Sequence, residues 1–136
     1  GLSRKDFDLQ VGKTRALISG LLGEGNYWLR PPYGQIDRAA EGWCGGPVVL
    51  WSVDPEDWRD DDVNRVVSAV VEHVSDGDIV LMHDLFASSS QAALQIVDAL
   101  QAKGFCFVTV EQLMEARGVR PEAGVRYRRC PSGENQ

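Results

Sequence analysis

Three short clusters in this 136-residue chain combine residue types that can do chemistry. Arg30-Pro31-Pro32-Tyr33-Gly34 joins a guanidinium, a planar fork for a carboxylate, to a backbone stiffened by two prolines and opened to close approach at the glycine. Asp54-Pro55-Glu56-Asp57-Trp58 sets several carboxylates beside an indole that can form one wall of an apolar slot. His83-Asp84 follows an apolar run, where the imidazole should be partly desolvated and where a nearby carboxylate would hold it as the cation. Taken alone, each has a plainer reading: a rigid turn with a solvated arginine, an acidic surface loop, a satisfied histidine at a strand end. The other histidine, His73, falls on the polar side of a helix near its C-terminus, where the helix dipole is explanation enough.

The elements that must position these clusters follow from spacing. Ser3 and Asp6 can cap a helix start reciprocally, and Phe7, Val11, Ile18 and Leu21 recur at helical intervals until Gly23. Tyr27-Trp28-Leu29 reads as a strand running into the proline turn, and residues 34–46 as irregular, with one helical turn around Arg38 to Glu41. Val48 to Val53 has a buried-strand pattern. Asp60-Asp61-Asp62 opens a helix whose Val63, Val66, Val67, Val70, Val71 and Val74 form one apolar stripe. Residues 78–82 read as a parallel strand buried on both faces, ending at His83. Ser88 to Ser90 can cap a helix buried through Ala93, Ile96, Val97 and Leu100, and Phe105 to Val110 reads as a strand before a short helix, Glu111 to Arg117. Residues 119–136 read as an exposed C-terminal tail. This order predicts an α/β fold with parallel strands, whose C-terminal strand ends gather the three clusters on one rim.

Composition excludes other classes. The length suits one domain, and 43 % hydrophobic residues suffice for a core. The net charge of −6, with no basic stripe, disfavours a nucleic-acid partner. No apolar run approaches the ~20 residues that a membrane-spanning helix needs, so we expect no membrane span; no leader is visible, and the first residue is Gly1 rather than Met. Cys44, Cys106 and Cys130 fit no zinc spacing. Cys106 should be a buried, inert thiol, while loop position alone allows a Cys44–Cys130 disulfide.

Together the clusters are more specific than any one of them, and the chain resembles the C-terminal part of the polysaccharide deacetylase family, carbohydrate esterase family 4, also called the NodB homology domain. That family carries an arginine, proline and tyrosine segment ending in glycine, found here as Arg30-Pro31-Pro32-Tyr33-Gly34. Its Trp-x-Val-Asp-x-x-Asp-Trp segment stands as Trp51-Ser52-Val53-Asp54-Pro55-Glu56-Asp57-Trp58, and its last motif as Asp78-Ile79-Val80-Leu81-Met82-His83. All three occur in family order. Two earlier family motifs, a Thr-Phe-Asp-Asp segment and a His-x-x-x-His segment, supply the catalytic base and the metal ligands; neither is present, and the chain opens where the helix after the second of them would begin.

The resemblance implies part of a distorted (β/α) barrel over residues 1–118. It implies metal-dependent removal of acetyl groups from N-acetylated polymers such as chitin or peptidoglycan, or from O-acetylated xylan. Zinc would be the usual ion, held by ligands outside this chain, on an N-terminal half of the same domain present as a separate or cleaved chain. Arg30 would orient the base of that absent segment, and the Tyr33 N–H, next to Pro32 in the substrate pocket, would stabilise the oxyanion. His83 would be the general acid, and Asp57, rather than Asp54, would pair with it and hold it cationic. Trp58 and Leu81 would form a slot for the acetyl methyl. The substrate class implies an extracellular or cell-envelope location. The alternative is a non-catalytic glycan-binding fragment or pseudoenzyme, against which stands the physical objection that an isolated half barrel exposes strand edges.

Overall fold

Ser3 accepts the Asp6 N–H at 3.2 Å and so starts α1, Arg4–Leu22, in the computed structural model, which describes residues 2–25 and 27–131. Gly23, at φ 87°, ends the helix and donates its N–H back to the Ser19 carbonyl. Of the expected apolar stripe, Phe7 is buried and Val11 and Ile18 are partly so, but Leu21 is exposed. The chain divides into two units, Gly1–Leu50 with Pro121–Tyr127, and Trp51–Arg120 with Arg128–Gln136.

In the first unit a 3-10 turn, Pro32–Gly34, and one short helix, α2, Arg38–Glu41, interrupt the irregular stretch. The strand β1, Val48–Val49, lies between the Leu29 segment and β2, Arg126–Tyr127, in parallel with both. The core beneath it joins Phe7, Ala40, Cys44 and Val48, with Trp43 edge-on to Phe7 at 5.8 Å between ring centroids. Residues 119–131 are therefore not an exposed tail, since Tyr127 and Cys130 are buried and the Val48 and Leu50 N–H groups donate to the Val125 and Tyr127 carbonyls. Residues 132–136 and Gly1 lie outside the described residues.

In the second unit the valine stripe is realised in α3, Val63–Val71, capped by Asp62, which accepts the Arg65 N–H at 3.0 Å. Valine is a poor helix former, so packing supplies what propensity does not. Val66 and Val70 pack with Ala92, Ile96 and Leu100 of α4, Ala87–Ala102, and Val53, Val80, Met82 and Phe105 close the cluster. Phe86 takes the N-cap position of α4 with no side-chain hydrogen bond, so Ser88 to Ser90 lie inside the first turn rather than capping it, and Ala92 replaces Ala93 on the most buried line. The capping box of Thr109 and Gln112 starts α5, Val110–Ala116.

The expected strands are shorter than their sequence patterns. Extended chain becomes a strand only where a neighbour takes its N–H and C=O groups. Val53 bridges Val80 in parallel and Asp78 bridges Arg129 in antiparallel, whereas residues 105–109 pair with no strand among the described residues. Cys106 in that segment is exposed, and the buried thiols are Cys44 and Cys130, both free, whose burial pushes their pKa up. Leu100→Ala should destabilise the protein by about 2–5 kcal/mol in urea unfolding, and Leu94→Ala, on the exposed face of the same helix, by less than about 0.5 kcal/mol. Equal losses would place the core elsewhere.

Candidate active site

The loop from Asp54 to Trp58 is built around its own first carboxylate. Asp54 Oδ2 accepts the Trp51 indole N–H at 3.0 Å, and Oδ1 accepts the Glu56 N–H at 3.0 Å, which turns the chain. Glu56 then takes φ 50°, a left-handed conformation costly for a residue with a Cβ. Asp54 is thus occupied in the loop, and Asp57, the residue after the turn, is carried inward until it is 1 % exposed.

The buried Asp57 carboxylate takes both donors of one residue. Its Oδ2 accepts the His83 main-chain N–H at 2.8 Å, and its Oδ1 lies 2.8 Å from His83 Nδ1. Holding the backbone and the ring of the same histidine fixes the ring rotation, and the acceptor at Nδ1 places a proton on that nitrogen. Nε2 has no hydrogen-bond partner among the described residues, and the side chain is 35 % exposed. Burial pushes the Asp57 carboxyl up, but the hydrogen bonds from the His83 ring and main chain, with the charge of the imidazolium, together hold it below the usual carboxylate range.

Ser89 was not among the expected site residues. It is 1 % exposed, and its hydroxyl donates to the Asp57 main-chain carbonyl at 3.2 Å. A signal for it did exist: Ser89, Ala92, Ile96 and Leu100 fall on one helical face, which marks a serine that must find a partner in the interior. Of the other expected residues in this unit, Leu81 is buried with its N–H on the Val53 carbonyl at 2.9 Å, Trp58 is 55 % exposed, and Asp84 is exposed. His73 falls two residues past the end of α3, where its Nδ1 lies 3.1 Å from the Ala69 carbonyl of that helix.

In the first unit, the prolines shape the turn that carries Arg30 and Tyr33. The Gly34 and Gln35 N–H groups close it on the Pro31 and Pro32 carbonyls at 3.1 Å each. Tyr33 sits at φ 57° with its ring 91 % exposed, and its N–H, early in the turn, has no backbone acceptor among the described residues. Tyr33 and Glu56 are the two non-glycine residues with positive φ among the described residues, one in each motif loop. Pro32 is exposed on the wall of a groove of about 640 Å³ that Phe7, Val11, Leu29 and Ile36 also line. Arg30 is exposed; partial desolvation lowers its pKa, with no charged partner contributing.

Among the described residues, no group of three or more His, Cys, Asp or Glu side chains stands together to hold a metal ion.

No family model matches the chain. Similar proteins are nevertheless known. The peptidoglycan-N-acetylmuramic acid deacetylase PdaC of Bacillus subtilis is 36 % identical over 119 residues, covering 88 % of this chain and 26 % of that protein. Its solved structure superposes with a TM-score of 0.80 over 86 % of this chain and 58 % of that one. The peptidoglycan-N-acetylglucosamine deacetylase PgdA of Listeria monocytogenes is 31 % identical, covering 87 % of this chain and 25 % of that protein. A structure described as T48 deacetylase with substrate matches at a TM-score of 0.85 and 33 % identity, over 93 % of this chain and 62 % of that one. The chain spans about a quarter of the length of these two curated relatives, and the fold is the expected α/β class, part of a distorted (β/α) barrel.

The lowered pKa of Asp57 has a thermodynamic consequence. A carboxylate whose folded pKa lies below its unfolded value stabilises the fold above the unfolded pKa, and that contribution is lost as pH falls through the folded one. Asp57→Asn should therefore reduce the melting temperature near neutral pH and flatten its decline below about pH 4. Thermal melts across this range check it; parallel acid limbs in the two proteins would remove Asp57 as a titrating anchor.

Proposed function

Because the chain belongs to the polysaccharide deacetylase family, carbohydrate esterase family 4, we propose that it takes part in hydrolysing acetyl groups from an acetylated polysaccharide, supplying the general acid and part of the substrate pocket. The observation that carries this reading is the double hold of the buried Asp57 on His83, which leaves Nε2 as the one ring nitrogen open to a ligand. An amide nitrogen cannot depart as an anion near neutral pH and must gain a proton as the C–N bond breaks. His83 Nε2–H is placed to give that proton, and the resulting imidazole keeps its Nδ1–H on Asp57. With an ester the same proton would go to the departing alcohol oxygen as its acyl C–O bond breaks.

Other roles are assigned by motif position. Arg30 orients the catalytic base, an Asp outside this chain, and the Tyr33 N–H stabilises the oxyanion; its fixed left-handed turn, and the lack of a backbone acceptor for it among the described residues, suit that work. Trp58 and Leu81 bound the slot for the acetyl methyl, and Pro32 is a further substrate-binding residue. The family's divalent metal, zinc, would polarise the acetyl carbonyl, and we assign its ligands to residues outside this chain because the described side chains form no such set. The N-terminal half of the same domain, as a preceding segment or a separate chain, is the partner this requires. The exposed Leu17, Leu21 and Leu22 of α1, and residues 105–109, which pair with no strand among the described residues, are surfaces such a segment would cover.

The relatives' names favour peptidoglycan-like N-acetylated glycan as substrate, and with it a cell-envelope or extracellular site of action. No helix among the described residues is long and apolar enough to cross a membrane. In the full-length protein, His83→Ala should lower kcat for acetate release from N-acetylated glycan oligomers by about 10²–10⁴-fold. Undiminished release would sink the general-acid assignment.

A further inference from the structure

We infer that Arg65 is a positioning residue for the acid pair: it holds the strained loop in the conformation that delivers Asp57 to His83. Arg65 stands in the first turn of α3 and reaches back across the loop. Its Nη1 donates to the Pro55 carbonyl at 2.8 Å and its Nη2 to the Glu56 carbonyl at 2.9 Å. These are the two peptide oxygens on either side of the Glu56 φ/ψ pair, the residue at φ 50° immediately before Asp57. The remaining donor, Nε, lies 3.2 Å from Asp60 Oδ1, which orients the guanidinium from its far edge.

A planar fork on two successive carbonyls fixes the relative orientation of two successive peptide planes. That is the degree of freedom that a left-handed residue would otherwise relax, because a Cβ makes the right-handed or extended conformation cheaper. Relaxation at Glu56 would swing the Asp57 Cα–Cβ bond away from the His83 N–H and ring, both of which depend on 2.8 Å contacts to one carboxylate. Neither neighbour of the loop can replace this. The Glu56 carbonyl also accepts the Arg59 N–H at 3.1 Å, a local contact that does not reach Pro55, and the Arg59–Glu56 side-chain pair is exposed. Arg65 is the one side chain among the described residues that spans both carbonyls. Lysine, with a single ammonium, keeps the charge near Asp60 but lacks the fork.

The catalytic part of this inference rests on His83 acting as the general acid, so the test separates the two. In the full-length protein, hydrogen exchange of the His83 main-chain amide reads the Asp57 contact without reference to activity. Arg65→Lys should speed that exchange about tenfold while the Val70 amide in α3 keeps its protection. It should also lower kcat about tenfold with little change in KM, the mark of a misplaced group rather than lost substrate contacts. Asp60→Asn, whose side-chain oxygen can still accept from Arg65 Nε and which spares the fork, should leave both readouts near the parent. Adding Glu56→Gly to Arg65→Lys should return exchange and kcat toward parental values, since glycine holds φ 50° without strain; this pair remains informative even where Arg65→Lys alone folds poorly. Parental His83 exchange in Arg65→Lys, or no recovery with Glu56→Gly, would overturn the inference. Faster exchange with unchanged kcat, alongside an active His83→Ala protein, would instead sink the general-acid reading and leave the positioning role standing.

Discussion

A carboxylate buried at Asp57 is the constraint around which the second unit is arranged. An ionised group taken out of water costs several kcal/mol unless its oxygens are satisfied. Here each oxygen meets a donor from His83, one from the backbone and one from the ring, and Ser89 from α4 fastens the same residue by its carbonyl. The consequence runs both ways. The histidine gains a fixed rotation and a fixed tautomer, and the carboxylate gains the partners that let it stay charged in the interior. Breaking any of these contacts leaves a buried group short of a partner, which is why such a pair is rigid and why its geometry suits proton transfer, where small displacements are costly.

Backbone strain marks the same region from another direction. Left-handed conformations at Glu56 and Tyr33 persist only because their surroundings over-determine them. At Glu56 the Asp54 turn and the Arg65 fork do so; at Tyr33 the flanking prolines and the closing hydrogen bonds from Gly34 and Gln35 do. Both strained residues lie in loops that the sequence had already singled out for their chemistry. A relaxed loop would be more stable locally but would aim its polar groups elsewhere.

How much of this was legible beforehand follows from the range of each interaction. The valine stripe of α3, the Ser3 cap and the single turn at Arg38–Glu41 are local signals, carried within a few residues, and they match the structure closely. The failures are non-local. Nothing within residues 119–131 announces that Tyr127 will lie beside Val49, because parallel pairing is decided by a partner some 80 residues away. Phe105 to Val110 carries a strand composition but has no neighbouring strand among the described residues, so Cys106 faces solvent instead of a core. Three serines in a row, Ser88 to Ser90, suggest a cap, although helical phase puts Ser89 on the buried face. In the site itself the residue types were legible and the family resemblance already favoured Asp57 over Asp54 as partner; what needed coordinates is the reason, that the loop spends Asp54 on Trp51 and Glu56.

The central claim is that Asp57 fixes His83 with its proton on Nδ1 and Nε2 free for a ligand. Long-range proton–nitrogen NMR of the His83 ring, in the full-length protein and in Asp57→Asn, reads this directly. The account predicts a protonated Nδ1 at neutral pH with a slowly exchanging, low-field proton that disappears in the variant. A bare Nδ1 with the proton on Nε2, or a ring signal that Asp57→Asn leaves unchanged, would contradict it.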